Sequence, residues 1–216
     1  TRCVVEHPYI DVVQLGVGRA DAGGTMPADR QTDPDAPVTD PSGPDLAGLS
    51  ASIDRLTDHA HDWSTQRLLD EGLDLVRDAC WADAAALFRV GARRAAAVHA
   101  RPSVRSRRTR PGGVCAPVPD SVDTGWFPWG LAPLAADRFV LIDDARALPA
   151  DPDGARTLGE LGVRSCLHLP LRQRGRTVGA LQVFWSEPRL AWDDDRGRLL
   201  RTLGRFLLTC DGRVRT

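Results

Sequence analysis

From residue 46 the apolar positions fall at Leu46, Leu49, Ile53, Leu56, Ala60 and Trp63, three and four residues apart in turn, which aligns them along one seam of a helix. The pattern predicts a connecting helix over 46–65, either packed on the domain that follows or paired with a second copy. Over 66–80 the same period places Leu69, Leu73, Val76 and Cys80 on one face, with Asp70, Glu71, Asp74 and Asp78 around it, an amphipathic surface helix. Strand-like runs follow at 84–90 and 95–100, separated by Gly91 and two arginines. After a long break come a short helix over 130–136, a strand over 139–143 and a polar helical stretch that ends at Gly162.

The C-terminal part is the clearest. Two apolar strands, 165–172 and 177–185, flank Gln173, Arg174, Gly175 and Arg176, a hairpin with glycine in its turn. With Arg174 and Gly175 at the turn, cross-strand partners sum to 349. That register puts Cys166, His168, Pro170, Gly179, Leu181, Val183 and Trp185 on one face, and Leu167, Leu169, Leu171, Val178, Ala180, Gln182 and Phe184 on the other. The second face is mainly aliphatic and suits covering helices. The first mixes polar, small and bulky groups, as a pocket does. Asp193 then caps a last helix, with Asp194 and Asp195 in its first turn. Its stripe is Leu199, Leu200, Leu203, Phe206, Leu207 and Cys210, with Gly212 as its stop.

Between these elements the composition changes. Residues 20–45 are dense in Gly, Pro, Asp and Thr with almost no large apolar side chain, and cannot offset the entropy of ordering. Residues 1–45 are therefore expected to be a disordered or extraneous N-terminal segment, with Met26 a candidate translation start. Residues 1–62 carry eleven acidic and four basic groups, the other 154 eighteen and twenty-four, so charge also divides the chain near residue 62. The Leu15-Gly16-Val17-Gly18 run lacks the third glycine and helix of a nucleotide-binding loop. The arginines of 101–110 lack interleaved aromatic residues or a recognition helix, so nucleic acid is not an expected partner.

All 28 basic residues are Arg, a coding bias of high-GC bacterial genomes rather than a binding adaptation. No stretch approaches the ~18 uncharged apolar residues of a membrane span, and the N-terminus does not read as a signal peptide, so a cytoplasmic location is expected. The five scattered cysteines fit neither a disulfide scaffold nor a zinc site, and no metal is expected.

The text "LGVRSCLHLPLRQRGRTVGALQVFWSEPRLAWDDDRGRLLRTLGRFL" at 161–207 resembles the C-terminal half of bacterial GAF domains. It has a G-V-R-S start, a P-L at the strand end, a V-G-x-L strand and a helix of the form W-x-x-x-x-x-x-L-L. The segment "FPWGLAPLAADRFVLIDDARALP" at 127–149 is similar to what precedes it in sensor-kinase GAF domains, whereas 66–100 matches by pattern only. The resemblance implies an α+β fold over 66–212: a PAS/GAF-like antiparallel six-stranded sheet with flanking helices on one face and a small-molecule pocket on the other. The pocket candidates are Trp126, Trp129, Cys166, His168, Leu181 and Val183, with 126–131 as a lid.

For His168 and Cys166 the alternative is a hydrogen-bonded core histidine beside a small buried hydrophobe. A haem site would need the histidine plus a large cavity. The cysteine motif of bilin-binding relatives and the N-K-F-D-E motif of cyclic-nucleotide-binding relatives are both absent, so the cofactor is unknown.

Three functions remain open. The domain is a sensor that relays ligand binding through its terminal helices; or a ligand-free dimerisation and coupling element; or an enzyme resembling free methionine sulfoxide reductase, with Cys166 and Cys115 as redox partners. No catalytic set is visible, and the expectation is a non-enzymatic module. With four residues after Gly212, its output partner lies in another polypeptide or the chain is a fragment. Limited proteolysis tests the organisation: residues 20–45 are expected to be cut rapidly while 66–212 survives as a compact fragment. Protection of the tail would overturn the assignment.

Overall fold

A computed structural model describes residues 12–15, 45–90, 94–102, 121–123, 133–134, 136–148, 152–189 and 192–214. The helices are α1 (Leu46–Asp58), α2 (Thr65–Ala79), α3 (Pro152–Glu160) and α4 (Asp194–Val214). The strands are β1 (Val12–Leu15), β2 (Ala84–Val90), β3 (Arg94–Pro102), β4 (Ser121–Asp123), β5 (Phe139–Ile142), β6 (Ser165–Gln173) and β7 (Arg176–Trp185). They pair in the order β1-β5-β6-β7-β2-β3-β4.

This is an α+β fold with an antiparallel sheet, but not the wholly antiparallel six-stranded sheet expected. Val12–Leu15, inside the segment assigned to an N-terminal tail, pair with β5 in parallel and make seven strands among the described residues. Four apolar-leaning residues can join an existing edge, where the ladder of backbone hydrogen bonds does not depend on a local hydrophobic pattern.

The helices begin as the sequence directs. Asp45 Oδ1 accepts from the Gly48 N–H at 2.6 Å and Ser64 Oγ from the Arg67 N–H at 3.3 Å, satisfying N-terminal donors that have no intrahelical acceptor. Asp193 Oδ1 does the same for α4 through Asp195 N at 3.0 Å. The connecting helix is shorter than its seam. It ends at Asp58 and a single 3-10 turn, His59–His61, lets Trp63 stack on His59 at 4.4 Å beneath the Arg67 guanidinium. At the other end α4 runs through Gly212 to Val214, so that glycine does not stop it.

Leu49, Ile53 and Leu56 of α1, Leu69, Leu73 and Val76 of α2, and Leu200, Leu203 and Leu207 of α4 are all buried in one core against the sheet. Thus α1 packs on the domain. Phe206, which the sequence places with Leu203 on the buried stripe, is only partly buried, because it lies at the border of that stripe. On the opposite sheet face Ile142, Cys166, Phe184, Ala84, Ala86 and Phe88 form a second, smaller core with Leu158 of α3 and Val163.

The hairpin register corrects the sequence reading. The turn is as expected: Arg174 and Gly175 both take positive φ, 49° and 78°, the two-residue geometry that matches strand twist. Gln173 pairs with Arg176 and Arg172 with Thr177, but Leu171 pairs with Gly179, leaving Val178 as the extra residue of a bulge. Beyond it every partner sum becomes 350, and β7 is flipped by one face relative to β6. Leu181, Val183 and Trp185 therefore join Leu167, Leu169 and Leu171 under the helices, while Gln182 and Phe184 join Cys166 and His168.

Gly179 marks the flip. A Cβ there would come within 2.7 Å of a Leu208 methyl on α4 and 2.6 Å of the Phe88 carbonyl oxygen. Gly179→Ala is accordingly expected to destabilise the fold by roughly 1–3 kcal/mol, the range for overpacking a filled core. Denaturant unfolding measures it, and a neutral effect would mean that Gly179 does not face α4.

Candidate functional site

The face turned away from α1, α2 and α4 holds the chemistry. Along one row of the sheet Val140 of β5 pairs with His168 of β6, His168 with Gln182 of β7, and Gln182 with Ala86 of β2. The next row runs Ile142, Cys166, Phe184 and Ala84. Residues two apart on a strand share a face, so Cys166 and His168 stand side by side, with Sγ 3.2 Å from Nε2. The tautomer decides which of the two donates.

Both are buried: Cys166 is fully enclosed and His168 is 6% exposed. Their neighbours across the rows are short on the β2 side, where Ala84 and Ala86 stand, and aromatic at Phe184. Burial lowers the His168 pKa to about 4, so the imidazole is neutral at physiological pH. Burial likewise pushes the Cys166 thiol well above its ordinary range, and it is no nucleophile at rest.

The floor of this face is held by the β5–β6 connection. Ser165 Oγ donates to the Ile142 carbonyl at 2.6 Å, and Arg164 Nε donates to Asp144 Oδ1 at 2.9 Å. The Arg164 hydrogen bond is the main reason that the Asp144 carboxyl stays below the usual carboxylate range. Asp144 also caps the 3-10 turn Ala145–Ala147 by accepting from Arg146 N at 3.1 Å.

Of the six pocket candidates, then, the structure brings together Cys166 and His168 on this face. Leu181 and Val183 are excluded from it: both are fully buried among the helix-side leucines because of the Val178 bulge. Trp126 and Trp129 lie outside the described residues. Gln182, which sequence reasoning put on the aliphatic face, is the polar neighbour of His168 instead. A polar residue at the centre of an apolar strand was the available signal for it. Among the described residues no group of three or more His, Cys, Asp or Glu side chains could hold a metal ion, and no helix is long and apolar enough to cross a membrane.

Asp137 connects this region with the last helix. It sits just before β5 at φ 65° and accepts through Oδ1 from Arg201 Nη1 of α4 at 2.9 Å. Arg172 of β6 approaches its other carboxylate oxygen at 3.8 Å. Further along, Arg89 of β2 donates through Nη2 to Asp211 Oδ2 at 2.7 Å and to the Leu208 carbonyl at 3.0 Å, both on α4.

The mainly antiparallel sheet thus carries the terminal helices on one face and a buried polar pair on the other. The family model described as GAF domain matches residues 64–208, and the chain belongs to that family. Among solved structures, the phycoerythrobilin-bound GAF domain from a cyanobacterial phytochrome is similar with a TM-score of 0.61 and 12% identity, covering 78% of this chain and 98% of that one. A far-red-absorbing dark state with bound biliverdin IXa gives 0.59 and 14%, covering 76% of this chain and 99% of that one. Free methionine-R-sulfoxide reductase from Neisseria meningitidis, in complex with its substrate, gives 0.55 and 14%, covering 78% and 93%. At these identities the likeness is one of fold. No curated protein matches by sequence.

The buried imidazole makes stability depend on acid. Above pH 6.5 His168 is neutral in both folded and unfolded chains; as pH falls from 6.5 towards 4 the unfolded chain takes up a proton that the native site excludes. Up to about 3 kcal/mol of stability is expected to disappear over that window. Denaturant titrations at pH 7 and pH 4.5 check it: His168→Leu should lose markedly less stability than wild type over the same interval, and equal losses would contradict a buried neutral histidine.

Proposed function

We propose that this chain is a cytoplasmic sensory GAF domain that binds a small molecule over the His168 face and relays occupancy through its terminal helices to a partner or output domain. The observation that carries the reading is the polar cluster on this face, buried at His168 and Cys166 and partly exposed at Gln182. A neutral imidazole, a thiol and the Gln182 amide stand in an otherwise apolar layer, and such convergent polar groups orient a ligand at the cost of core stability. Trp126 and Trp129, with the segment between them, are proposed to close over the ligand. Asp137, only a few residues further on, would carry a change in that segment to Arg201 on α4. The domain would act by binding rather than turnover, alone or as a homodimer.

Two of the structural neighbours hold bilins, one of them biliverdin, which makes biliverdin a rational first probe. The reductase likeness brings less to this chain, because Cys166 is a thiol whose burial opposes the thiolate that sulfoxide chemistry requires. A coupling role without ligand has one specific support: Cys166 and His168 already contact each other at 3.2 Å, as the side chains of a self-filled pocket would.

Native mass spectrometry and absorption spectra of the purified protein, followed by titration with biliverdin and a panel of metabolites, separate the readings. A sensor is expected to yield a binder whose affinity falls about 10- to 100-fold in His168→Leu, the effect of an unpaired polar partner, with cooperative unfolding retained. Absence of any binder, together with unchanged partner association in His168→Leu, would establish the coupler instead.

A further inference from the structure

A second cluster, on the helix side of the sheet and sharing no residue with the His168 face, is left unexplained by the fold. Where α2 ends, three consecutive carbonyls each accept a side-chain N–H from elsewhere. Ala79 O accepts from Arg196 Nη1 at 3.1 Å, Cys80 O from Trp185 Nε1 at 3.0 Å, and Trp81 O from Arg189 Nη2 at 3.4 Å. The chain reverses there through a pair of backbone bonds, Ala82 N to Arg77 O at 2.9 Å and Trp81 N to Asp78 O at 3.3 Å, the closing motif of helices that favours glycine at its left-handed position. That position holds Trp81, at φ 50°. An indole there is strained by its Cβ, and it is 51% exposed, a large apolar surface that packing does not require.

Beside Trp81 lies a cavity of about 30 Å³ walled by Trp185, Trp192, Arg189, Arg196 and Asp193. The Trp185 and Trp192 rings are 6.3 Å apart and inclined at 58°, and the Arg189 guanidinium lies 5.6 Å from the Trp185 ring. Three of these walls carry a buried N–H without an acceptor: Arg189 Nε, Trp192 Nε1 and Arg196 Nε. Unmet buried donors are costly, and three around one cavity ask for an oxygen-rich acceptor of negative charge. Among the described residues the one acidic wall, Asp193, is poorly placed to supply it. Asp193 Oδ1 caps α4, and its Oδ2 stands 4.0 Å from Arg196 Nε.

We propose that this cleft is a binding site for a small aromatic carboxylate. Its carboxylate group, which the cavity volume matches, takes the N–H groups of Trp192, Arg189 and Arg196, and its flat body lies against the exposed Trp81 indole. Two guanidinium groups provide the charge, and their planar geometry suits a carboxylate better than a spherical anion. The bound molecule would bridge the end of α2 and the start of α4.

Benzoate is the probe, with benzamide as its uncharged counterpart and acetate as the carboxylate without a ring. In the ¹⁵N-labelled protein the six tryptophans each contribute an indole N–H signal, and Trp192→Phe identifies that of Trp192 while removing one donor and keeping an aromatic ring. Benzoate is expected to shift the Trp192 signal saturably in the millimolar range or below. Benzamide should not bind, Trp192→Phe should weaken benzoate about tenfold, and Trp81→Ala should erase the preference for benzoate over acetate. Indole signals unmoved by benzoate, or binding unaffected by both substitutions, would overturn the proposal and leave the cleft a hydrated helix junction. The outcome is independent of whether the His168 face binds a ligand.

Discussion

The β6–β7 hairpin contains one residue more on β7 than on β6, and the position of that residue, Val178, governs how the two layers form. Side chains alternate across a strand with a period of two, so a single inserted residue exchanges the faces of everything beyond it. Because of the bulge, Leu181 and Val183 meet Leu167, Leu169 and Leu171 in one aliphatic sheet face, and α4 can settle on it with Gly179 and Gly204 as its points of close approach. Without the bulge, leucine would be opposed by glutamine and alanine, and neither face would be uniformly apolar.

The same exchange concentrates polarity on the other side. His168, Cys166 and Gln182 share a face only because Gln182 has been turned towards it. Burial then neutralises the imidazole and holds the thiol protonated, so the pair offers hydrogen bonds rather than charge or nucleophilic reactivity. Such a site is suited to recognising and orienting a molecule. Its connection to α4 is short, since β6 and β7 press directly on that helix, and Asp137, Arg172 and Arg201 tie the entry of β5 to it.

The Trp81 cleft belongs to a different part of the same layer. It joins the C-terminal end of α2 with the N-terminal end of α4, so the two helices that cover the sheet are linked at a point remote from the His168 face. Left-handed backbone at a tryptophan and unmet buried donors are departures from local preference. Such departures concentrate where a structure does something besides fold.

Much of this protein was written in local pattern. The helical seams of α1, α2 and α4, the Asp193 cap, and the Arg174-Gly175 turn all depend on neighbours within a few residues, and each formed close to where the sequence placed it. Cys166 and His168 were legible for the same reason, being two apart on one strand. What the sequence could not supply was anything fixed by a distant partner. Val178 becomes a bulge because both aliphatic faces must meet α4, a choice made by packing and not by the residue itself. Gln182 beside His168, β1 on the edge of β5, and the orphaned donors of Arg189, Trp192 and Arg196 around Trp81 depend likewise on elements brought together only by the tertiary fold. Local sequence determines period and capping; the pairing of faces across the sheet is decided by the burial of the whole core.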